Sequence, residues 1–204
     1  MPTTVYLIRH GEVEAAYRDR FVGTTDAPLS ANGEAQIGMV RDFILNNTAG
    51  RPPAAIYTST RQRAIKSASI IADPLGLVPE LLPALGEIDF GAWENLTYAQ
   101  IRERWRAELD AWMCSPFHTG APGGERLADI QARAVSAFNR ITGDHPDETV
   151  VIVAHGGVNR IILCHVMGIP GEHIFHLEQD HAAINIISFF DGFPVVKLMN
   201  GTLR

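Results

Sequence analysis

The chain has 204 residues, 46% of them hydrophobic, which suits one compact α/β domain or a domain carrying a small cap of its own insertions. A formal net charge of −6 argues against nucleic acid or an anionic membrane as a bulk partner, while leaving room for a local basic pocket. Cys114 and Cys164 form no CxxC, so neither a disulfide framework nor a cysteine zinc site is indicated, and both read as packing residues in a reducing compartment. The N-terminus has no basic region followed by an apolar core, and no apolar run approaches the roughly 18 residues of a membrane span; the expected location is the cytoplasm.

The first element is "TVYLI" at 4–8, a nearly continuous apolar run of the kind buried in mid-sheet. A helix begins at Ser30 as N-cap, with Ile37, Met39, Val40, Phe43 and Ile44 as its apolar stripe, and ends in "NNTAG". "AAIYTS" at 54–59 reads as a second strand and 61–72 as a helix stopped by Asp73 and Pro74. An irregular Pro- and Gly-rich stretch leads to one helix over 98–113, a loop, "SPFHTGAPGGE", and a further helix over 126–141. "TVVIVA" at 149–154 is the clearest strand, and "GGVNRIILCHVMG" follows it as a helix. The tail, "AINIISFF" and "FPVVKLMN" about Asp191 and Gly192, predicts an antiparallel pair joined by a tight turn.

This order sets Arg9 and His10 after the first strand, Arg61 and Arg63 after the second, and His155 after "TVVIVA". In a parallel sheet these are carboxyl ends on one edge, where open α/β sheets bind ligands. Taken singly, an arginine after a strand is a solvated end and a lone histidine a hydrogen-bonded structural residue. Their recurrence at one edge points to a single cationic site assembled from three distant pieces of chain.

"LIRHGE" at 7–12, "YTSTRQRAIKSA" at 57–68, "GEIDFGAWE" at 86–94 and "VAHGGVNR" at 153–160 resemble the histidine phosphatase superfamily, in its phosphoglycerate mutase-like branch, and "RFVGTTDAPLSANGEAQ" at 20–36 is similar to that family's segment before its first helix. The resemblance implies a three-layer αβα sandwich with a mixed, mostly parallel sheet, as a single domain over 1–204 in which about 80–125 form a cap over the site. It also implies a phosphohistidine intermediate. By register it assigns His10 as nucleophile, Glu87 as acid and base, and Arg9, Arg63 and His155 as catalytic phosphate ligands. Gly11, Gly23 and Gly156 join Arg9, Arg63 and His155 in binding substrate. No metal and no cofactor are implied, and the partner is a small phosphorylated metabolite; a homodimer is left open.

These residue types fit the chemistry. A phosphate monoester is a dianion whose equatorial oxygens repel nucleophiles, so catalysis consists mostly of placing cations and donors around them. Guanidinium stays charged and donates two parallel bonds, which suits Arg9 and Arg63. A neutral imidazole attacks phosphorus if its other nitrogen donates elsewhere, commonly to a backbone carbonyl. Gly11 allows close backbone approach to the phosphate, and the helix start after His155 favours an anion. Glu87, beside Gly86 and Phe90, ranks ahead of Asp89 and Glu94 by register. Arg61, where the family often has a hydrophobic residue, reads as surface, and Glu12 reads equally as an orienting group or an ordinary carboxylate.

Three departures from the family pattern stand out: Ala16 in place of an asparagine that contacts phosphate, Asn95 in place of a glycine, and Arg126 in place of a serine, where a solvated helix start outweighs an extension of the cationic site. A metalloenzyme is disfavoured because His173, His176 and His181 read as ordinary loop and helix-end residues. A noncatalytic phosphate-binding protein would need neither His10 nor Glu87. The short "MCSPFHTGAPGG" offers little material for a mutase lid, so phosphatase is expected over mutase. "RHGEVEAA", "DAPLS", "HGGVNRIIL" and "EQDHAAINII" are similar to α-ribazole-5′-phosphate phosphatase-like bacterial members; Trp93 or Phe117 is the candidate to stack on an aromatic base, with buried packing the commoner fate of each.

Overall fold

Val5 to Ile8 are buried along the strand Thr3–Arg9 (β1), and every residue of Thr149–Ala154 (β4) is buried as well. Such runs pack on both faces, and their side chains alternate. Val5, Leu7, Val150 and Ile152 join one core, whereas Tyr6, Ile8, Val151 and Val153 join another on the opposite side of the sheet. The computed structural model describes residues 1–48 and 50–203.

The six strands lie in the order β3-β2-β4-β1-β5-β6, with Ala55–Thr58 as β2, Glu80–Leu81 as β3, Ile184–Phe190 as β5 and Phe193–Gly201 as β6. Strands β3, β2, β4 and β1 run parallel, and β5 and β6 complete the sheet antiparallel. Helices Ala31–Asn47 (α1) and Gln62–Ala72 (α2) cover one face through Ile37, Val40, Ile44, Ala64, Ala68 and Ile71. The other face carries Leu127–Asp144 (α5) and Gly156–Met167 (α6) through Ile130, Phe138, Ile161 and Ile162. The result is a three-layer αβα sandwich with a mixed, mostly parallel sheet.

Local signals place most of these elements. Ser30 caps α1 by accepting from Gly33 N–H at 3.0 Å. Met39, expected on the apolar stripe, is exposed, because the face toward the sheet is narrower than the run of apolar residues. The "NNTAG" end includes Ala49, which lies outside the described residues. The β5–β6 turn uses Asp191 (φ 49°) and Gly192 (φ 81°), the left-handed pair that a tight hairpin requires.

The segment 80–125 divides. Glu80–Leu81 extend the sheet beside β2, and Leu82, Leu85 and Ile88 enter the core under α5 and α6. Trp93, Ile101, Leu109 and Ala121 instead form a small third core with Phe21, Phe90, Trp105 and Trp112. The expected single helix over 98–113 is two, Tyr98–Arg104 (α3) and Arg106–Cys114 (α4), broken at Trp105 (φ −134°, ψ 47°). A straight helix would set Ile101 and Leu109 roughly 80° apart; across the break both reach the third core. Cys164 is buried as expected, but Cys114, at the end of α4, is exposed.

Candidate active site

His10 follows β1 and is held by the sheet itself. Its N–H donates to the Ala154 carbonyl at the end of β4 (3.1 Å), and its carbonyl accepts from Ala182 N–H (3.0 Å). The ring Nδ1 lies 2.8 Å from the Gly11 carbonyl. A carbonyl only accepts, so Nδ1 carries the proton and Nε2 keeps its lone pair. Arg63 agrees with that tautomer, since its Nε–H donates to His10 Nε2 at 3.3 Å. Burial first, then the charges of His155, Arg63, Arg9 and His181, hold the His10 pKa well below its ordinary value, so the ring is neutral at working pH.

Arg63 is buried in the first turn of α2, and three carbonyls of the segment 22–25 fix it. Nη1 donates to Thr25 (2.8 Å), and Nη2 to Gly23 (2.8 Å) and Val22 (3.3 Å). Arg9 donates through Nη1 to the Gln179 carbonyl (2.6 Å) and through Nη2 to His181 Nε2 (3.0 Å). Burial lowers the Arg9 pKa to about 10, against the opposing pull of Glu87, and the group stays charged at neutral pH.

His155, the N-cap of α6, is fully buried, with its ring centroid 5.1 Å from that of His10. Its Nε2 meets the Ser59 hydroxyl at 2.6 Å, and Ser59 Oγ also accepts from Arg61 N–H at 3.3 Å. Burial first, then Arg63, Arg9 and Arg61, hold the His155 pKa well below the ordinary histidine value. Among the described residues, neither His155 Nδ1 nor Arg9 Nε, a donor with no acceptor role, has a hydrogen-bond partner, although both are buried. Buried donors of this kind are costly until an acceptor meets them, and an anion's oxygens are such acceptors.

Glu87 leaves the core at Gly86 and turns its carboxylate to the start of α6. It accepts from its neighbour Ile88 N–H (3.0 Å) and from Gly157 N–H (3.1 Å). A cavity of about 320 Å³ is lined by Arg9, His10, Arg63, Glu87 and His181, among others. The structure therefore brings Arg9, His10, Arg63, His155 and Glu87 together at the carboxyl edge of β1, β2 and β4, with Gly156 packed against the Arg9 guanidinium.

Gly11 and Gly23 are also required by packing. A Cβ at Gly11 would overlap the Gly33 carbonyl, so its small size permits the close approach of α1. A Cβ at Gly23 would overlap the Ile88 carbonyl; Gly23 N–H is bonded to Glu94 (3.3 Å), and its carbonyl holds Arg63. Glu94 binds that loop and Asp89 Oδ1 caps Gly91 N–H (2.8 Å), so neither shares the place of Glu87. Glu12 pairs with Arg18 and Asn32.

The structure departs from the sequence reading at His181 and Arg61, and it takes Trp93 and Phe117 to the commoner of their two fates, packing. His181, read as ordinary loop, lines the cavity 5.6 Å from the His10 ring centroid, its pKa lowered to about 4 by burial and then by Arg9. Arg61 is half-buried: its backbone N–H donates to Ser59 Oγ (3.3 Å), and its Nε has no partner among the described residues. Trp93 is wholly enclosed by the third core, and Phe117 packs under Gly171; neither faces the cavity.

Of the three departures, Ala16 is exposed, and its carbonyl accepts from Arg20 Nε (2.8 Å). Asn95 adopts φ 60°, the left-handed backbone that glycine and asparagine enter most readily. Arg126 is exposed and forked onto Asp129 (2.7 and 2.9 Å), a helix-start pair as read.

Two buried imidazoles, two desolvated guanidiniums and a carboxylate at the carboxyl edge of an αβα sheet form a cationic pocket with buried donors left unpartnered among the described residues. The sequence model of the histidine phosphatase superfamily (branch 1) matches residues 5–202, and the chain belongs to that superfamily. The Bifunctional protein Rv2228c of Mycobacterium tuberculosis is 31% identical over 98% of this chain and 54% of its own length, so the chain spans about half of that relative. Phosphoserine phosphatase 1 of Hydrogenobacter thermophilus is 25% identical over 96% of this chain and 91% of its own. The crystal structure of the alpha-ribazole phosphatase from Shigella flexneri superposes with a TM-score of 0.88 over 98% of this chain and 96% of that one; at 24% identity it shows the shared fold. Among the described residues no helix is long and apolar enough to cross a membrane, and no group of three His, Cys, Asp or Glu side chains could hold a metal ion.

Proposed function

We propose that the protein hydrolyses small phosphate monoesters through a phosphohistidine on His10. The observation that carries this reading is the His10 tautomer: Nδ1–H is spent on the Gly11 carbonyl, and Nε2 offers its lone pair at the wall of a cationic cavity. In the first half-reaction Nε2 forms a bond to phosphorus as the ester P–O bond breaks, and Glu87 in its acid form gives its proton to the leaving oxygen. In the second, Glu87 takes a proton from water, water attacks phosphorus, and the N–P bond breaks to release phosphate and neutral His10. Arg9 and Arg63 offset the charge on the equatorial oxygens. With the Ser59 hydroxyl donating to Nε2, His155 presents Nδ1–H as a neutral donor to the same group. The burial of His155 and Arg63 strengthens each of these interactions by excluding water.

Positive charge in this scheme comes from arginine, so the reaction needs no metal ion. α-Ribazole 5′-phosphate is the substrate to try first, given the sequence likeness to that group and the name of the Shigella flexneri neighbour. The test is rapid acid-free quenching during turnover followed by intact mass and peptide mapping, with and without EDTA. Transient phosphorylation of His10 and EDTA-insensitive rates are expected. Turnover with no phosphoryl group on His10, or loss on chelation that a divalent ion restores, would overturn the scheme.

A further inference from the structure

Beside the anion cavity lies a second one of about 210 Å³, and Arg9, Phe21, Glu87 and Phe90 line both. The second cavity adds Trp112 of α4 and Phe175 of the 3-10 turn Gly171–His176 to those rings. Phe90, Phe21, Trp112 and Phe175 form an edge-to-face ladder with centroids 5.0, 6.2 and 5.7 Å apart in turn. Phe175, at its outer end, is 51% exposed, so the last ring of the ladder stays open to solvent beside the site.

Resting on the phosphatase reading, we infer that this second cavity is the leaving-group subsite and that it takes an aromatic ring. Glu87 lines both cavities, and an acid that protonates the leaving oxygen must lie within hydrogen-bond reach of it. With phosphorus in the anion cavity, the adjoining space on the other side of Glu87 receives the group attached to that oxygen, among the four rings. The volume exceeds the roughly 150 Å³ that accommodates a benzene in an apolar cavity, and aromatic walls reward a flat apolar guest by edge-to-face and stacked contacts. Two cations reach the wall: Arg9, whose guanidinium is shared with the anion cavity, and Arg160, already committed with Nε on the Leu177 carbonyl (2.7 Å) and Nη2 3.7 Å from Glu178. A leaving group such as serine would have to strip water from an ammonium and a carboxylate against these rings, at a cost the site does not repay. The subsite thus separates two chemistries that occur among the relatives, ring-bearing alcohols and amino-acid alcohols, in favour of the first.

The experiment compares kcat/KM for 2-phenylethyl phosphate, ethyl phosphate and O-phosphoserine, primary-alcohol esters without an aryl-oxygen leaving group. It also compares the dissociation constants of 2-phenylethylphosphonate and ethylphosphonate, read by tryptophan fluorescence and calorimetry. The phenyl compounds should be favoured on the order of tenfold or more over ethyl in both measurements, and phosphoserine should rank with or below ethyl phosphate. Phe175→Ala should cut the phenyl-to-ethyl ratio at least threefold, and Phe175→Trp should keep it; Phe175 is exposed, so neither change threatens folding. Equal handling of phenyl and ethyl compounds, or a phenyl preference untouched in both Phe175→Ala and Trp112→Ala, would overturn the subsite. The phosphonate pair keeps the outcomes distinct, because absence of turnover for all three esters would overturn the phosphatase reading while binding still decides where a ring sits.

Discussion

Glu94→Gln should weaken both the fold and the reaction, although Glu94 touches neither phosphorus nor the leaving group. Its carboxylate accepts from Gly23, Thr24 and Thr25 N–H (3.3, 2.8 and 3.1 Å), from the Thr25 hydroxyl (2.7 Å) and from Phe90 N–H (3.1 Å). Glutamine keeps the size but turns an amide NH₂ toward groups that are themselves donors. A hydrogen bond to a charged acceptor contributes about 1.5–3 kcal/mol. Glu94 is half-buried, so water reaches some of the abandoned donors, and a loss of about 3 kcal/mol is expected rather than the sum over five. The second effect follows from the carbonyls of the same loop, which hold Arg63; loosening them should lower kcat/KM about tenfold, or ~1.4 kcal/mol of transition-state stabilisation. Urea titrations at neutral pH measure the first effect and steady-state kinetics the second. Despite burial, which raises it, the Glu94 pKa is lowered by the Thr25 hydroxyl and the loop N–H groups. A depressed carboxylate stabilises the fold above its unfolded pKa of about 4.3, and that stability fades as pH falls through the folded value. The gap between wild type and variant should therefore shrink in acid. A loss under about 1 kcal/mol together with unchanged kcat/KM would refute the reasoning.

His10→Ala should abolish turnover while circular dichroism shows an intact fold, whereas His155→Ala should leave measurable activity reduced on the order of 10²-fold, since a donor is lost rather than the nucleophile. Arg63→Lys should reduce kcat severely, because one ammonium cannot bridge His10 and the three loop carbonyls; near-normal kinetics would show that another arginine carries the role. Glu87→Gln should slow alkyl phosphates most and activated aryl phosphates least, as read from a leaving-group series, since only the former need a proton.

Much of the fold was legible because its signals are local. "TVVIVA" names a buried strand by its lack of polar residues, Ser30 names a helix start, and Asp191-Gly192 names a hairpin turn. The ends of β1, β2 and β4 delivered Arg9, His10, Arg63 and His155 to one edge for the same reason, since the carboxyl end of a strand can be found without knowing the sheet order. His181 was not legible in this way. It sits on an aperiodic loop before β5, and only the antiparallel pairing of β5 with β1 swings that loop over Arg9. Ser59 and Ser67 were passed over as ordinary polar residues, yet Ser59 meets His155, and Ser67 accepts from Gly11 N–H (3.3 Å) and donates to the Arg63 carbonyl (2.7 Å). The choice between stacking and packing stayed open for the ring residues because composition cannot distinguish an aromatic that closes a core, as Trp93 does, from one that stops short of closing it, as Trp112 and Phe175 do. The break at Trp105 carries neither Gly nor Pro, the two residues that announce a helix end.

The position of β4 between β2 and β1 also makes the site a timer of synthesis. His10 emerges among the first residues, but its N–H has no acceptor until Ala154 does, and β1 has no parallel neighbour until Thr149–Ala154 arrives. A nascent or truncated chain ending before β4 should therefore be inert however well its first two helices form, and the gain of activity during refolding should coincide with completion of the central strands rather than with helix formation. His10 is among the earliest parts of the site to be made and among the last to be assembled.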